Sequence, residues 1–326
     1  MRGHFFSRRH LIAGSLAFSL RSESTILSGL EPLGDFGVHE GPAWHPDLGV
    51  LCTGNGKIFR YSKEGKVSMF RDPAGRPNGL LVDPQGRLVV CEMGERRVTR
   101  TEKNGAITVL ADRFEGARFN SPNDLTIDSK GRIYFSDPRY GGRDGMEIKD
   151  KGGRLVEGVY RIDAPGSVHR VIAHEADRPN GVLVSPRDEF LYVADNNNNT
   201  AGGARKLWRF RLKADGSVDS SSRKLIHDWE TARGPDGIKM DSTGRLFVAA
   251  GLNKAHPPFE TADKRKGGIY VLSPEGKLLQ FLAVPLDEVT NCAFGGVDGK
   301  TLYITAGGSL FSAKSTDAGW ISGRFA

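Results

Sequence analysis

Short apolar runs alternate with turn residues along most of this chain of 326 residues, and the alternation predicts β-strands. Leu88 and Val90 stand two positions apart, the period of a strand with one buried face, and the run at 133–135 repeats the pattern. The turns DPQGR, DSKGR and DSTGR join consecutive runs. Each places Asp first and Gly where a left-handed backbone is needed, which is typical of hairpins.

This strand–turn–strand unit recurs six times from about residue 40 to the end of the chain. A third strand-like run follows most units, as at 57–62, and a fourth often follows that, as at 66–70. Four antiparallel strands per unit, repeated radially, form the blades of a propeller. The sequence therefore predicts an all-β fold, a six-bladed β-propeller of four-stranded antiparallel blades.

The two ends of the repeat indicate how the ring closes. Residues 26–37 precede the first unit, and the sixth unit is short at its C-terminal end. The N-terminal segment is therefore expected to complete the last blade. No linker or change of composition interrupts the units, so residues 26–326 are predicted to form a single domain.

Each unit begins with a side chain that carries an acid or amide oxygen. The first strand of a blade lines the central channel, so these side chains are expected to meet at one mouth of it. The loops after the second strands lie on that same face, and they are long in blades three to five. A substrate pocket above a ring of oxygens is the expected result. The ring positions are Glu40, Asn78, Asn123, Asn180, Asp236 and Asn291.

Oxygen atoms that converge on one point are the ligands of a hard cation. With no His or Cys in the ring, Ca²⁺ is favoured over Zn²⁺, and Mg²⁺ or Mn²⁺ are alternatives. The competing interpretation is that the PNG and PDG tripeptides are only turns, because Pro, Asn, Asp and Gly favour turns for backbone reasons.

The charge and cysteine content exclude several other classes of protein. The net charge is +7, but Lys and Arg are scattered and form no stripe, so no nucleic-acid partner is expected. The cysteines, Cys52, Cys91 and Cys292, are far apart and are expected to be buried apolar residues. The chain contains neither GxSxG nor HExxH, which argues against a serine hydrolase or a zinc protease.

The N-terminus contains the pair Arg8–Arg9 followed by a weakly apolar stretch of about ten residues, too short to span a bilayer. It resembles a bacterial twin-arginine export signal. Residues 1–25 are therefore predicted to be an export signal, with a periplasmic or extracellular mature protein that has no membrane anchor. The alternative is a disordered basic tail on a cytoplasmic protein.

Several motifs together resemble the senescence-marker-protein/gluconolactonase (regucalcin-like) family. That family consists of six-bladed propellers that bind a divalent metal, usually Ca²⁺, and hydrolyse sugar lactones or related esters. FNSPND together with SDPxYG is most similar to the bacterial gluconolactonase branch. The matching motifs are HEGPAW at 39–44, RPNGL at 76–80, FNSPNDLTID at 119–128, YFSDPRYGG at 134–142, RPNGV at 178–182 and GPDGIKMD at 234–241.

The resemblance implies which ring residues bind the metal and what they do. The implied ligands are Glu40, Asn123, Asn180 and Asp236. A metal at these ligands would polarise the lactone carbonyl for attack by water, and Asp236 would orient or deprotonate that water. The animal branch has a sugar-binding Arg two residues before its metal-binding Asn, where this chain has Ser121.

Other roles at the mouth remain open. Asp137 or Asp195 is the alternative base if Asp236 acts only as a ligand. The side chains predicted to contact a small lactone or ester substrate are Asn78, Asn291, Asn120, Tyr140 and Asn196. Capping and turn hydrogen bonds are the alternative roles for these side chains.

Two further functions compete with a metal-dependent lactonase. One keeps the site and changes the substrate to a phosphotriester or aryl ester. The other is a non-catalytic propeller that binds a sugar or a protein and has a structural metal. Glu40 and Asp236 beside an open metal position favour an enzyme.

Overall fold

The computed structural model describes residues 25–140 and 144–320, and nearly all of their regular structure is β-strand. Within these residues, 24 of the strands form six four-stranded antiparallel sheets arranged as the blades of a propeller. This confirms the fold class predicted from the repeat. The predicted export signal lies outside the described residues except for residue 25.

In chain order the structure begins with β1 (Leu27–Val38) and continues through five complete blades. Blade one contains β2 (Glu40–His45), β3 (Gly49–Gly54), β4 (Lys57–Tyr61) and β5 (Val67–Arg71). Blade two contains β6 (Pro77–Val82), β7 (Leu88–Glu92), β8 (Arg97–Thr101) and β9 (Ile107–Ala111), and the short hairpin of β10 (Arg113–Phe114) and β11 (Ala117–Arg118) follows it. Blade three contains β12 (Leu125–Ile127), β13 (Ile133–Asp137), β14 (Gly158–Ala164) and β15 (Ser167–Ile172).

The remaining blades follow the same order. Blade four contains β16 (Pro179–Val184), a 3₁₀ turn (Pro186–Asp188), β17 (Phe190–Asn196), β18 (Arg205–Leu212) and β19 (Val218–Asp228). Blade five contains β20 (Ile238–Met240), β21 (Leu246–Ala250), β22 (Gly268–Leu272) and β23 (Leu278–Ala283). Blade six contains β24 (Val289–Gly295), β25 (Thr301–Ala306) and β26 (Gly308–Ser315) together with β1.

The first strands of the blades contact one another in sequence around the ring, and β24 returns to β2. The ring closes because β1 pairs antiparallel with β26, from Leu27 opposite Ser315 to Val38 opposite Gly308. The Gln280 side chain adds hydrogen bonds of 2.7–2.8 Å to the backbone of Ile26 and Leu27. The N-terminal strand is thus the outer strand of blade six.

The recurring DxxGR turns owe their sequence to one hydrogen-bonding pattern. Asp83 Oδ1 accepts the backbone N–H of Arg87 at 2.8 Å, and its Oδ2 accepts Arg87 Nε at 2.7 Å. The Asp–Arg pairs of the other two turns, 128–132 and 241–245, repeat these contacts. Each aspartate is buried, so its negative charge needs the arginine beside it.

The core lies between neighbouring blades. The second strands β3, β7, β13 and β21 are buried along their whole length, whereas outer strands such as β5 are exposed. All three cysteines are free and buried, as the sequence predicted, and burial raises their thiol pKa values above the usual range. No helix in the described part of the chain is long and apolar enough to cross a membrane.

Candidate active site

The starts of the first strands surround a cavity of about 830 Å³ at one mouth of the channel. Five of the six predicted ring residues line it, and the sixth, Asn291, donates from Nδ2 to Glu40 Oε2 at 2.9 Å. The repeat therefore identified a real convergence of side chains. The described lining residues are His39, Glu40, Asn78, Asn123, Tyr140, Asn180, Asn198, Asn199, Arg233, Asp236, Asp287, Glu288, Thr290 and Gly307.

Four of the six ring residues are followed by a glycine, and this glycine lets neighbouring first strands approach closely. A Cβ atom on Gly181 would overlap the carbonyl oxygen of Asp236, and one on Gly237 would overlap the side chain of Asn291. Asn180 itself lies inside β16, at an irregularity in its pairing with β17, and not in a reverse turn. The PNG tripeptide of blade four is thus a packing motif at the start of an inner strand, which removes the turn interpretation there.

Two oxygens of the ring are buried without a hydrogen-bond partner among the described residues: Asn123 Oδ1 and Asp236 Oδ1. Burying a polar atom unpaired costs about 1–3 kcal/mol, and these two belong to residues that line the cavity, so they are available to a ligand there. The amide nitrogen of Asn180 is occupied, because it donates to Tyr140 Oη at 2.7 Å. This donation fixes the orientation of the Asn180 amide.

Burial shifts the carboxylates of the ring towards their protonated forms. It raises the pKa of Glu40 well above its usual value, and the negative charges of Asp236 and Asp124 raise that pKa further. The pKa of Asp236 is raised by burial as well, although Arg233 opposes the shift. These carboxylates destabilise one another's charge unless a cation is present.

The net charge of the ionised groups at the site also favours a bound cation. Four acidic groups, Glu40, Asp124, Asp236 and Glu288, act on one another here, and Arg233 and Lys239 are the cations that offset them. Four negative charges and two positive charges leave two negative charges uncompensated when all are ionised. A divalent cation held by carboxylate and amide oxygens would balance them, so the residues fit the metal that the motifs imply.

Arg233 is a site residue that the repeat did not reveal. It is buried, and its Nη2 lies 2.8 Å from Asp236 Oδ2 and 3.0 Å from Glu288 Oε2. Asp236 Oδ2 is therefore occupied, and only Oδ1 remains available. The sequence signal was the arginine three residues before the aspartate in RGPDG.

A second buried arginine positions Tyr140. Arg178 pairs with both oxygens of Glu157 at 2.8 and 3.1 Å, and its guanidinium lies 5.4 Å from the centre of the Tyr140 ring. Its Nη1 donates to Asn199 Oδ1 at 2.6 Å. The long loops of blades three and four are thereby joined beside the cavity, with the Tyr140 hydroxyl directed at Asn180.

Comparison with known proteins identifies the family. The model of the SMP-30/Gluconolactonase/LRE-like region matches residues 38–308. The chain belongs to this family. The match confirms the resemblance drawn from the motifs.

Two relatives and one solved structure show how near the similarity is. A gluconolactonase of Zymomonas mobilis is 30% identical over 285 residues, which are 85% of this chain and 72% of that protein. A 6-deoxy-6-sulfogluconolactonase of Pseudomonas putida is 30% identical, over 84% of this chain and 85% of its own. The structure of a gluconolactonase from Xanthomonas campestris superimposes with a TM-score of 0.72 at 28% identity, covering 88% of this chain and 90% of that one.

Within this family member, the alternative bases have structural roles. Asp137 accepts the backbone N–H groups of Asn120 and Ser121, both at 2.8 Å. Asp195 accepts the backbone N–H groups of Asp177 and Arg178, at 3.0 and 2.8 Å. Neither carboxylate is among the described residues that line the cavity. Both fix the chain segment that leads into a first strand.

The predicted substrate contacts divide into two groups. Asn78 and Tyr140 line the cavity. Asn120 donates from Nδ2 to the carbonyl oxygens of residues 137 and 156, and Asn196 is fully buried; neither is among the described residues that line the cavity. Asn291 holds Glu40 in place. Asn198, Asn199 and Glu288 lie on loops outside the repeat, which is why the register of the repeat did not reveal them.

Proposed function

We propose that this chain is a metal-dependent hydrolase that opens sugar lactones. The observation that carries the proposal is the convergence of Glu40, Asn123, Asn180 and Asp236, with two unpaired buried oxygens, at the base of an open cavity. Membership in the family and the names of the relatives support the reaction class.

The four ring residues would hold the cation. Their ligand atoms are oxygens only, which favours Ca²⁺, with Mg²⁺ or Mn²⁺ as alternatives. The chemistry that a bound cation supplies at such a site is Lewis-acid polarisation of the lactone carbonyl. Asn291 and Arg233 would support this set, because one holds Glu40 Oε2 and the other holds Asp236 Oδ2.

Asp236 is the residue we assign to the attacking water. Arg233 occupies Oδ2, so Oδ1 would serve both partners: one of its lone pairs would bind the cation, and the other would orient the water or accept its proton. Water adds to the carbonyl carbon, the bond from that carbon to the ring oxygen breaks, and the ring oxygen takes up a proton. The product is the open-chain hydroxy acid.

The lining favours a polyhydroxylated substrate over an aryl ester or a phosphotriester. Among the described lining residues there is no aliphatic side chain, and Tyr140 and His39 are the rings present. Asn78, Tyr140 and Thr290 can exchange hydrogen bonds with sugar hydroxyls. An aryl leaving group is held best by aliphatic and aromatic side chains, and these two rings are the only such side chains among the described lining residues.

The experiment is a substrate panel on metal-stripped protein. After treatment with chelator, acid release is followed from several aldonolactones, an aryl ester and a phosphotriester, each with and without Ca²⁺. We expect turnover of aldonolactones that depends on added cation. Glu147→Gln, which changes an exposed carboxylate, is the matched control for Glu40→Gln. Absence of turnover with every divalent cation would favour the non-catalytic binding propeller.

A further inference from the structure

A second group of metal-ligating side chains lies beside the cavity, formed by His256, Glu260 and Glu288. His256 Nδ1 lies 3.6 Å from Glu260 Oε2 and 3.5 Å from Glu288 Oε1. All three ligand atoms lie within 4.8 Å of one another. Glu288 also lines the cavity of the oxygen ring, so the cluster is at its rim.

The spacing of these atoms fits ligands of one cation better than hydrogen-bonded pairs. Protein hydrogen bonds of this kind have N–O distances of roughly 2.7–3.2 Å. Ligands about 2.1 Å from a tetrahedral zinc ion are about 3.4 Å apart. A protonated His256 paired with the two glutamates is the competing arrangement, and it would bring at least one oxygen within hydrogen-bonding distance.

Glu260 provides an independent indication of a ligand. It is only 4% exposed, and its Oε1 has no hydrogen-bond partner among the residues that the structure describes. The other oxygen of the same carboxylate is the one nearest His256. The charges of Arg233 and Arg205 act on this carboxylate, yet neither donates a hydrogen bond to Oε1, and a buried oxygen without a partner is costly.

The backbone holds the three side chains in place. His256 and Glu260 face each other across an antiparallel bridge, with both backbone N–H···O distances at 3.0 Å. The Asp287 carboxylate accepts the N–H groups of Asn253 and Lys254 at 2.8–3.0 Å and so ties this loop to the segment that carries Glu288. The cluster is therefore preorganised.

We propose that His256, Glu260 and Glu288 bind a borderline divalent cation such as Zn²⁺, with water completing the coordination. An imidazole nitrogen with two carboxylates suits zinc, whereas the oxygen-only ring suits calcium, so the two sites select different cations. Arg233 Nη2 lies 3.0 Å from Glu288 Oε2, the oxygen that does not face His256. Carboxylates that bind a metal are commonly held in this way by a hydrogen bond from a neighbouring side chain. The site stands on its own geometry and does not depend on lactonase activity.

Zn²⁺ titration of the full-length, tag-free protein in competition with a chromophoric chelator tests the proposal. Saturating Ca²⁺ is present throughout to fill the oxygen ring. We expect one zinc equivalent to bind, and His256→Ala and Glu260→Gln each to weaken binding at least about tenfold. Co²⁺ in place of Zn²⁺ should give a visible absorption band that His256→Ala removes.

The controls separate this site from other sources of zinc binding. His174→Ala removes another histidine that pairs with a carboxylate, at 3.0 Å from Asp150, and it should leave zinc affinity unchanged. Glu40→Gln, which alters the oxygen ring, should also leave it unchanged. The proposal is overturned if zinc binds equally well to folded His256→Ala and Glu260→Gln proteins, or if the wild type binds none. Equal loss in His174→Ala or Glu40→Gln would overturn it as well.

Discussion

The two ends of the central channel are built from the same six strands but carry opposite chemistry. At the strand starts, carboxylates and amides line a cavity of about 830 Å³. Further along the same strands, a smaller cavity of about 80 Å³ forms the narrow end, which is lined mainly by apolar side chains such as Leu80, Leu125 and Phe294. Lys239 is the one charged residue among the described residues that line this narrow end.

The difference shows which residues the fold requires and which it tolerates. At the narrow end, neighbouring first strands meet mainly through apolar side chains, whose burial stabilises the fold. Buried carboxylates at the wide end cost free energy, as the raised pKa values of Glu40 and Asp236 indicate. The buried carboxylates of the wide end therefore lower the stability of the fold, as is typical of residues that serve a function.

Removing a ring carboxylate should have the largest effect. Asp236→Asn retains shape but removes the proton acceptor and a charged ligand, so kcat should fall by roughly 10³-fold or more. Leu81→Met at the narrow end is the matched control, and it should change kcat less than twofold. Retained activity in Asp236→Asn, at unchanged thermal stability, would remove Asp236 from its proposed role.

The second-largest effect is expected from a substitution that forces the first strands apart. Gly181→Ala places a Cβ against the carbonyl oxygen of Asp236, so we expect a loss of about 1–3 kcal/mol in the free energy of unfolding. Denaturant unfolding measures this. Gly152→Ala is the control, because this exposed glycine also lacks a left-handed φ and its new Cβ would approach only the Asp150 side chain, at 3.3 Å. A stability loss no greater than that of the control would show that close approach at Gly181 is not needed.

Tyr140→Phe should have a smaller effect. It removes the hydroxyl that accepts the Asn180 amide, so Asn180 loses its fixed orientation. We expect about a fivefold loss in kcat/KM and weaker calcium binding, because one neutral hydrogen bond contributes about 1 kcal/mol. Titration calorimetry with Ca²⁺ reads out the second effect. Unchanged calcium affinity would limit Tyr140 to contact with substrate.

The pH dependence of the metal-free protein should be the smallest effect and should have an unusual sign. Because the folded pKa values of Glu40 and Asp236 are raised, the native state binds more protons than the unfolded chain between neutral pH and the ordinary carboxyl range near ~4. These two groups should therefore stabilise the chelated protein as pH falls through that window. Calcium should reverse the trend, because protons compete with it. Glu40→Gln should weaken the pH dependence, and an unchanged slope would contradict the assignment.

The sequence predicted the fold well because the repeat encodes it locally. Each DxxGR turn is stabilised by hydrogen bonds within the turn, as the Asp83–Arg87 pair shows. Apolar residues at every second position indicate the strands. The register of the repeat also identified the wide end of the channel. Glu40, Asn123 and Asp236 lie there because equivalent positions in blades point to the same mouth.

The rest of the site depends on side-chain contacts that no repeat encodes. Asn291 has the correct register, yet its amide turns towards Glu40. Arg233 and Glu288 come from segments outside the equivalent positions, and only folding brings them within 3.0 Å. Asn120 matches a family motif, but its hydrogen bonds go to backbone carbonyls. The position of a residue in the repeat indicates which mouth of the channel it faces. Its hydrogen-bond partners depend on how the side chains pack in the folded protein.

A crystal structure of the protein grown with Ca²⁺ would show whether the ring residues bind a metal ion. We expect an ion at the wide mouth within ligand distance of Glu40, Asn123, Asn180 and Asp236, with Asn123 Oδ1 and Asp236 Oδ1 directed at it. A calcium ion that does not touch Glu40, or a mouth that contains no ion at saturating Ca²⁺, would contradict it.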